Sequence, residues 1–340
     1  MGDNKQLDVI SVGDVVTDAF IKLFDDKAWT YVDEQGKKVI AMEYGTKVPF
    51  DKAIVIEGVG NAANAAVSLT RLGLSTGFVT NVGEDKYGRG IIAALNAGKI
   101  DTRYIRVNPG KKTNYHYVLW YKEERTILIN HEEYDYVWPN LREREKPKWI
   151  YFSSIADNAL PFHDELADWL DENPDVKMAF QPGTFQMKAG KERLARIYKH
   201  SNILVLNKEE ASLVSGNPDK NDLHKSFDML HELGPEEMVV CITDGPSGSY
   251  ASGNGKRLFM PIYPDPAPAF ERTGAGDAFA STFTAAILRG KSLEEALAWG
   301  PINSMNVVQY AGAQEGLLSD SEIEKLLASA PEWYVPKPME

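Results

Sequence analysis

The chain has 340 residues, 43% of them hydrophobic and 25% charged, enough to bury one large α/β core and unlike either a disordered or a membrane-embedded chain. Its formal charge of −12 argues against a broad basic surface for nucleic acid, and no apolar run approaches the roughly 20 residues of a membrane span. The start of the chain has acids where a signal peptide would be basic, so a cytoplasmic location is expected, and the single cysteine, Cys241, sits in an apolar run that predicts a buried thiol.

Short apolar runs closed by turn residues predict strands at 7–13, 75–83, 147–154, 176–183, 201–207 and 237–243. Helical patterns occupy 62–72, 160–170, 190–199 and 221–233. This alternation predicts a three-layer α/β core with a mostly parallel sheet, whose ligands lie at the carboxyl ends of the strands. Two stretches, 19–55 and 101–137, carry strand-like runs and turn signals without an amphipathic helix. They are expected to form a small inserted β-sheet lid, leaving 1–18, 56–100 and 138–340 as the core. Within 115–121, Tyr115, Tyr117 and Tyr121 fall on one parity and His116 and Trp120 on the other. Such a sheet would be apolar on both faces, one toward a substrate and one toward a second subunit.

Two glycine-rich stretches carry the chemistry. "GVGNAA" at 58–63 has the spacing of a dinucleotide-binding turn, yet a strand and a β insertion precede it, and that reading leaves the second stretch unexplained. The second, "FERTGAGDAFASTFTAAIL" at 270–288, joins a Pro-rich loop to an apolar helix. Gly274, Ala275 and Gly276 can turn their amides outward at the helix start and make an anion hole. A carboxylate beside bound phosphate would repel it, but Asp277 suits a base that takes a proton from an attacking hydroxyl. At the helix N-terminus it is expected to have a lowered pKa. "AILRGKS" resembles a Walker loop only at its end, because Ala285 replaces the first glycine, and it reads as a helix end and turn.

These motifs resemble the ribokinase-like (PfkB) carbohydrate kinases. "TGAGDAF" is similar to their C-terminal signature, and "GVGNAANAAVSLTRLG" to their N-terminal one, with Gly60 and Asn64 on its second glycine and its asparagine. The resemblance implies ATP-dependent phosphorylation of a hydroxymethyl group on a sugar or sugar-like molecule, with a nucleoside acceptor as the alternative and an inactive binding protein as a remote one. The last would tolerate damage to GAGD or N-x-x-E, and both are intact. It further implies Asp277 as the base beside the Gly274–Gly276 hole, and Asp14, Asp18, Gly60, Asn61 and Asn64 on the acceptor. "NKEEA" matches N-x-x-E, so Asn207 and Glu210 would act on Mg²⁺ and the phosphates, Glu210 through water. "TDGPSGSY" implies Thr243, Gly245 and Gly248 at the nucleotide, and "NSMNVVQYAGA" implies Asn303 and Asn306 beside the adenine. "NVGEDKYG" is expected to be a structured turn. Three departures stand out: Val59 replaces a glycine, Glu271 stands where cation-activated members have Asp, which weakens the case for a potassium site, and "FSSIAD" lacks the glutamate that would favour ribose. His131 is expected to be an ordinary or substrate-facing residue of the lid. A homodimer through the lid is the expected assembly.

Overall fold

The computed structural model of the chain describes residues 6–122 and 124–340. Among these, ten strands form one sheet, in the order Lys337–Pro338, Lys256–Met260, Ser249–Gly253, Val239–Thr243, Ser201–Asn207, Lys177–Phe180, Trp149–Phe152, Val9–Val12, Thr76–Gly83 and Ile105–Asn108. From Val239–Thr243 onward all neighbours run parallel; the first three pair antiparallel. Every expected strand is present, and the parallel ones are apolar on both faces because helices cover both.

Side-chain parity divides the core. Phe152, Phe180, Leu204 and Ile242 point into one cluster, toward the helices Leu160–Glu172 and Leu223–His231. Tyr151, Ala179, Val205 and Cys241 point into the other, toward Ala275–Leu288 and Leu293–Val307. Cys241 is fully buried, and burial raises its thiol pKa, as its apolar run implied. The expected helix at 190–199 is confined to Ala195–His200, and a separate short helix, Thr184–Ala189, precedes it and ends where Gly190 turns at φ 88°. The "RGKS" segment is a helix end followed by Ser292, whose hydroxyl caps Leu293–Val307. Asp85 of "NVGEDKYG" caps Lys86–Ala97 and also accepts from the backbone and hydroxyl of Thr113, which makes this segment the structured turn expected.

A separate four-stranded sheet, in the order Phe50–Val59, Val16–Leu23, Tyr115–Tyr121 and Glu124–Leu128, forms the lid, with the hairpin Trp29–Val32 and Lys38–Ala41 beyond it. Its limits differ from those read in the sequence. Residues Ile105–Asn108 add to the main sheet beside Thr76–Gly83, where the Asn108 amide donates to Asn81 and to the carbonyl of Val82. Tyr134 and Tyr136, read as lid, pack into the core beside Trp138. Alternating apolar residues show that a segment pairs but not with which sheet, so both stretches fell on the wrong side of the boundary.

Asp8, just ahead of the strand Val9–Val12, clamps that strand's two neighbours: its carboxylate accepts from the Ser75 backbone (2.9 Å), the Ser75 hydroxyl (2.7 Å) and Lys148 Nζ (2.8 Å). Burial alone would raise its pKa, but the Lys148 and Ser75 hydrogen bonds and the Lys148 charge outweigh it and hold the group at about 2, below the 3.8 of a free aspartate. A depressed folded-state pKa stabilises above the unfolded value, and this contribution fades as pH falls from about 4 toward 2. Asp8→Asn should therefore cost about 1.5–3 kcal/mol at neutral pH, the range for hydrogen bonds to a charged group, and the difference from wild type in denaturant melts should shrink below pH 4.

Candidate active site

The carboxyl ends of the parallel strands open onto a cavity of about 600 Å³ that the lid covers with Asp18, Phe20, Ile56, His116 and Ile127. A second cavity, of about 280 Å³, lies against the helix Leu293–Val307, and the two share Thr243, Arg272 and Gly276. Where they meet, the helix Ala275–Leu288 begins. Its first amides have no partner within the helix, and Gly274 ahead of it lies at φ 78°, with so little room that an added Cβ would come 2.4 Å from that of Ala313. Any other residue at 274 would displace the loop that presents these amides.

Asp277 lies at this junction and is only 7% exposed. Its two oxygens accept from Asn61 Nδ2 (2.8 Å) and Asn64 Nδ2 (2.8 Å), with Gln181 Nε2 adding a third bond at 3.2 Å. Two of the three amides are themselves oriented: Tyr151 donates to Gln181 Oε1 (2.5 Å), and Gln314 donates to Asn64 Oδ1 (3.0 Å). These outer bonds turn the NH₂ groups toward the carboxylate. The pKa of Asp277 is raised, contrary to the expectation from its helix position. Burial is the largest cause, opposed by the donors Asn64, Asn61 and Gln181 and by the charge of Arg125. A helix dipole contributes about 0.3–1 kcal/mol, whereas taking a carboxylate out of water costs several, so burial decides the sign.

Asn61 and Asn64, expected on the acceptor, thus line the cavity but donate to Asp277. Gly60 brings them there: at φ 114°, with Asp14 O only 3.1 Å from where a Cβ would stand, it tolerates no side chain. Asp14 and Asp18 also line this cavity, with one oxygen each buried and unpartnered, Asp14 Oδ2 and Asp18 Oδ1. The other Asp14 oxygen accepts from the Tyr136 hydroxyl at 2.7 Å. His116 Nδ1 lies 3.3 Å from Asp18, His131 Nδ1 lies 3.6 Å from Asp14, and the two Nε2 atoms are 3.1 Å apart. His131 therefore lines the larger cavity. Orphaned carboxylate oxygens beside imidazoles form a site that hydroxyl groups would satisfy.

Thr243, Gly245 and Gly248 line the second cavity together. Asn303 and Asn306 do not line it: Asn303 is fully buried between Thr282 and the Leu318 amide, and Asn306 donates to the Gly316 carbonyl. On that helix Pro301, Ser304, Met305 and Val308 face the cavity, spaced i, i+3, i+4, i+7, which turns 303 and 306 onto the neighbouring face. Asn207 and Glu210 line the first cavity and cap their own helix reciprocally, each at 2.8 Å. Burial raises the Glu210 pKa, the Asn207 amide opposing and the Asp277 charge adding. Among the described residues no three His, Cys, Asp or Glu side chains converge on a metal site. One carboxylate with an oxygen to spare suits Mg²⁺, which keeps most of its waters and takes the rest of its ligands from phosphates. Glu271 has both oxygens engaged, one by Thr273 and one by the Gly312 amide.

Gln181, Arg125, His116, Arg272 and Gln314 complete the site and were not singled out in the sequence as site residues. Gln181 closes a parallel strand, where ligand contacts concentrate, so its place was readable. For Arg125 and His116 the inward face depends on lid register, which no local pattern states.

Comparison with known proteins agrees with this geometry. The pfkB family carbohydrate kinase profile matches residues 38–320. A 5-dehydro-2-deoxygluconokinase of Halalkalibacterium halodurans is 26% identical, covering 79% of this chain and 84% of its own length. Among solved structures, the ribokinase of Arabidopsis thaliana complexed with ribose and ATP superposes with a TM-score of 0.74 at 21% identity, covering 95% of this chain and 99% of that one. The nucleoside kinase of Methanocaldococcus jannaschii gives 0.73 at 19% identity, with 96% and 99% covered. With residues 38–320 matched, the chain belongs to the pfkB family of carbohydrate kinases.

Proposed function

We propose that the chain transfers the γ-phosphoryl group of ATP to a hydroxymethyl group of a sugar or sugar-like acceptor. The observation that carries this reading is the junction of the two cavities at Gly276, with Asp277 on the acceptor side and the glycine turn of 243–248 on the other. The acceptor occupies the larger cavity, its hydroxyls on Asp14 and Asp18, and the nucleotide occupies the smaller. As the acceptor oxygen bonds to the γ-phosphorus, the bond to the β–γ bridging oxygen breaks, its electron pair leaves with ADP, and the hydroxyl proton passes to Asp277. The amides of Gly274, Ala275 and Gly276 hold the charge on the transferring group. Asn207 and Glu210 would hold Mg²⁺ beside the phosphates, where it would neutralise part of their charge.

A coupled assay of ADP release over sugars, sugar acids and nucleosides tests the reading; no turnover on any class would overturn it. A nucleoside is the second reading, favoured by the apolar lid lining of Phe20, Ile56, Ile127 and Ile129, which could cover a base.

The base assignment has its own test. General-base catalysis contributes about 10²–10⁴ in rate, so Asp277→Asn should lose at least that much kcat while binding ATP as well or better in calorimetry, having lost a charge that repels phosphate. Loss of nucleotide binding together with turnover would mean that Asp277 holds the loop instead.

A protonated Asp277 cannot accept a proton, so its raised pKa places the acid limb of kcat/KM above the ordinary aspartate range. Gln181→Leu removes one donor that favours the ionised form and should move that limb to higher pH in the rate profile. An unmoved limb would exclude Gln181 as a tuner of the base.

The outer face of the lid exposes Val55, Tyr117 and Leu128, each about half accessible, and supports the reading that two copies pair through their lids. Light scattering at micromolar concentration should give twice the chain mass; a monomer would refute the pairing and leave the lid's role over the cavity intact.

A further inference from the structure

Three cations, Arg125, Lys188 and Arg272, line the larger cavity, and among the described residues none has a carboxylate partner. Arg272 lines both cavities, on the loop ahead of Gly274, and Lys188 lies over the Phe185 ring at 5.8 Å. Arg125 differs from both. It stands on the lid, and its Nε is buried without a partner. A guanidinium donor sealed from water and left unsatisfied is costly, which points to an anion that arrives with the substrates.

Strand register shows which anion. Arg125 pairs with Trp120 across the antiparallel strands, and Trp120 pairs with Lys22, whereas Asp18 pairs with His116. Arg125 is thus four positions along the lid from the row that holds Asp18 and His116, ~13 Å at 3.3 Å per residue. At this end the Trp120 ring meets Phe270, centroids 5.3 Å apart, and Phe270 lies just upstream of the Gly274 loop. The lid therefore has a polar end over the acceptor's hydroxyls and a cationic end over the anion hole. The charge of Arg125 reaches the Asp277 carboxylate as well.

We infer that Arg125 is a catalytic residue carried by the lid to the equatorial oxygens of the transferring phosphoryl group, an inference that rests on the kinase reading above. In that step the acceptor oxygen gains the phosphorus, ADP departs with the bonding electrons, Asp277 takes the proton, and negative charge spreads over three oxygens. The backbone amides at 274–276 meet that charge from the helix side. The planar guanidinium meets it from the lid side, where its fork matches two oxygens at once. Charge stabilisation is then complete only with the lid over the cavity.

The test uses the intact chain, Arg125→Met and Arg125→Lys, and the acceptor that wild type turns over fastest. An arginine on a transferring phosphoryl contributes about 10³–10⁵ in kcat; with the backbone amides intact, Arg125→Met should lose about 10³-fold, while KM for acceptor and ATP moves less than about threefold. Arg125→Lys should recover part of that loss, and added guanidinium ion should partly restore Arg125→Met. In calorimetry Arg125→Met should weaken binding of ADP with aluminium fluoride, a mimic of the group in flight, and leave ADP alone unaffected. A kcat within about tenfold of wild type falls below that range and would overturn the inference. So would an acceptor KM that rises with kcat intact, which would assign the guanidinium to an acidic group on the acceptor, or unchanged binding of ADP with aluminium fluoride. Wild type that phosphorylates nothing fails the kinase reading itself and is seen before any variant is compared.

Discussion

The structure depends on keeping one carboxylate, that of Asp277, dry and ionisable. Burial opposes its charge, and the three amides that offset this come from residues 61, 64 and 181, all distant from Asp277 in the chain. Their placement explains much of the surrounding architecture. The helix Asn61–Arg71 must run against Ala275–Leu288, where Ser281 bonds to Ser68 at 2.7 Å. Gly60 and Gly274 must lack side chains so that the two helix starts can meet, and Tyr151 and Gln314 must turn the amides the right way. Removing any of these leaves a buried charge short of partners, which is far more costly than losing a surface bond.

The division between core and lid follows from what each must do. The parallel sheet is covered on both faces, and its carboxyl ends open onto the two cavities that meet at the start of the helix Ala275–Leu288. The lid has one face on the cavity and the other in solvent, and it brings side chains whose positions depend on register. The strands Val16–Leu23 and Tyr115–Tyr121 run parallel at its centre, so Asp18 and His116 lie directly opposite each other despite nearly a hundred intervening residues.

Much of this was legible in the sequence. Strand–helix alternation specified the layered core, and the two glycine-rich stretches marked the helix starts that meet at the site, because a glycine with no room for a Cβ leaves a motif that spacing reveals. The division of 101–137 between two sheets was not legible, since pairing partners are chosen by tertiary fit. Asn303 and Asn306 show a related limit: they belong to the helix beside the second cavity, and only its phase determines that Ser304 and Met305 face inward. The direction of the Asp277 shift required knowing how deeply it is buried, and local position at a helix start pointed the opposite way.

The contact between His116 and His131 has a consequence of its own. Two Nε2 atoms 3.1 Å apart accommodate one hydrogen between them, so one ring must offer N–H and the other a lone pair. His116 belongs to the lid strand and His131 to the segment that returns from the lid to the core, so the tautomer of one dictates that of the other across the seam. A hydroxyl that arrives at Asp18 and changes what His116 donates would be answered by a proton rearrangement beside Asp14. Asp14 and Asp18 are thus joined through one shared hydrogen, so a change in hydrogen bonding at either is felt at the other.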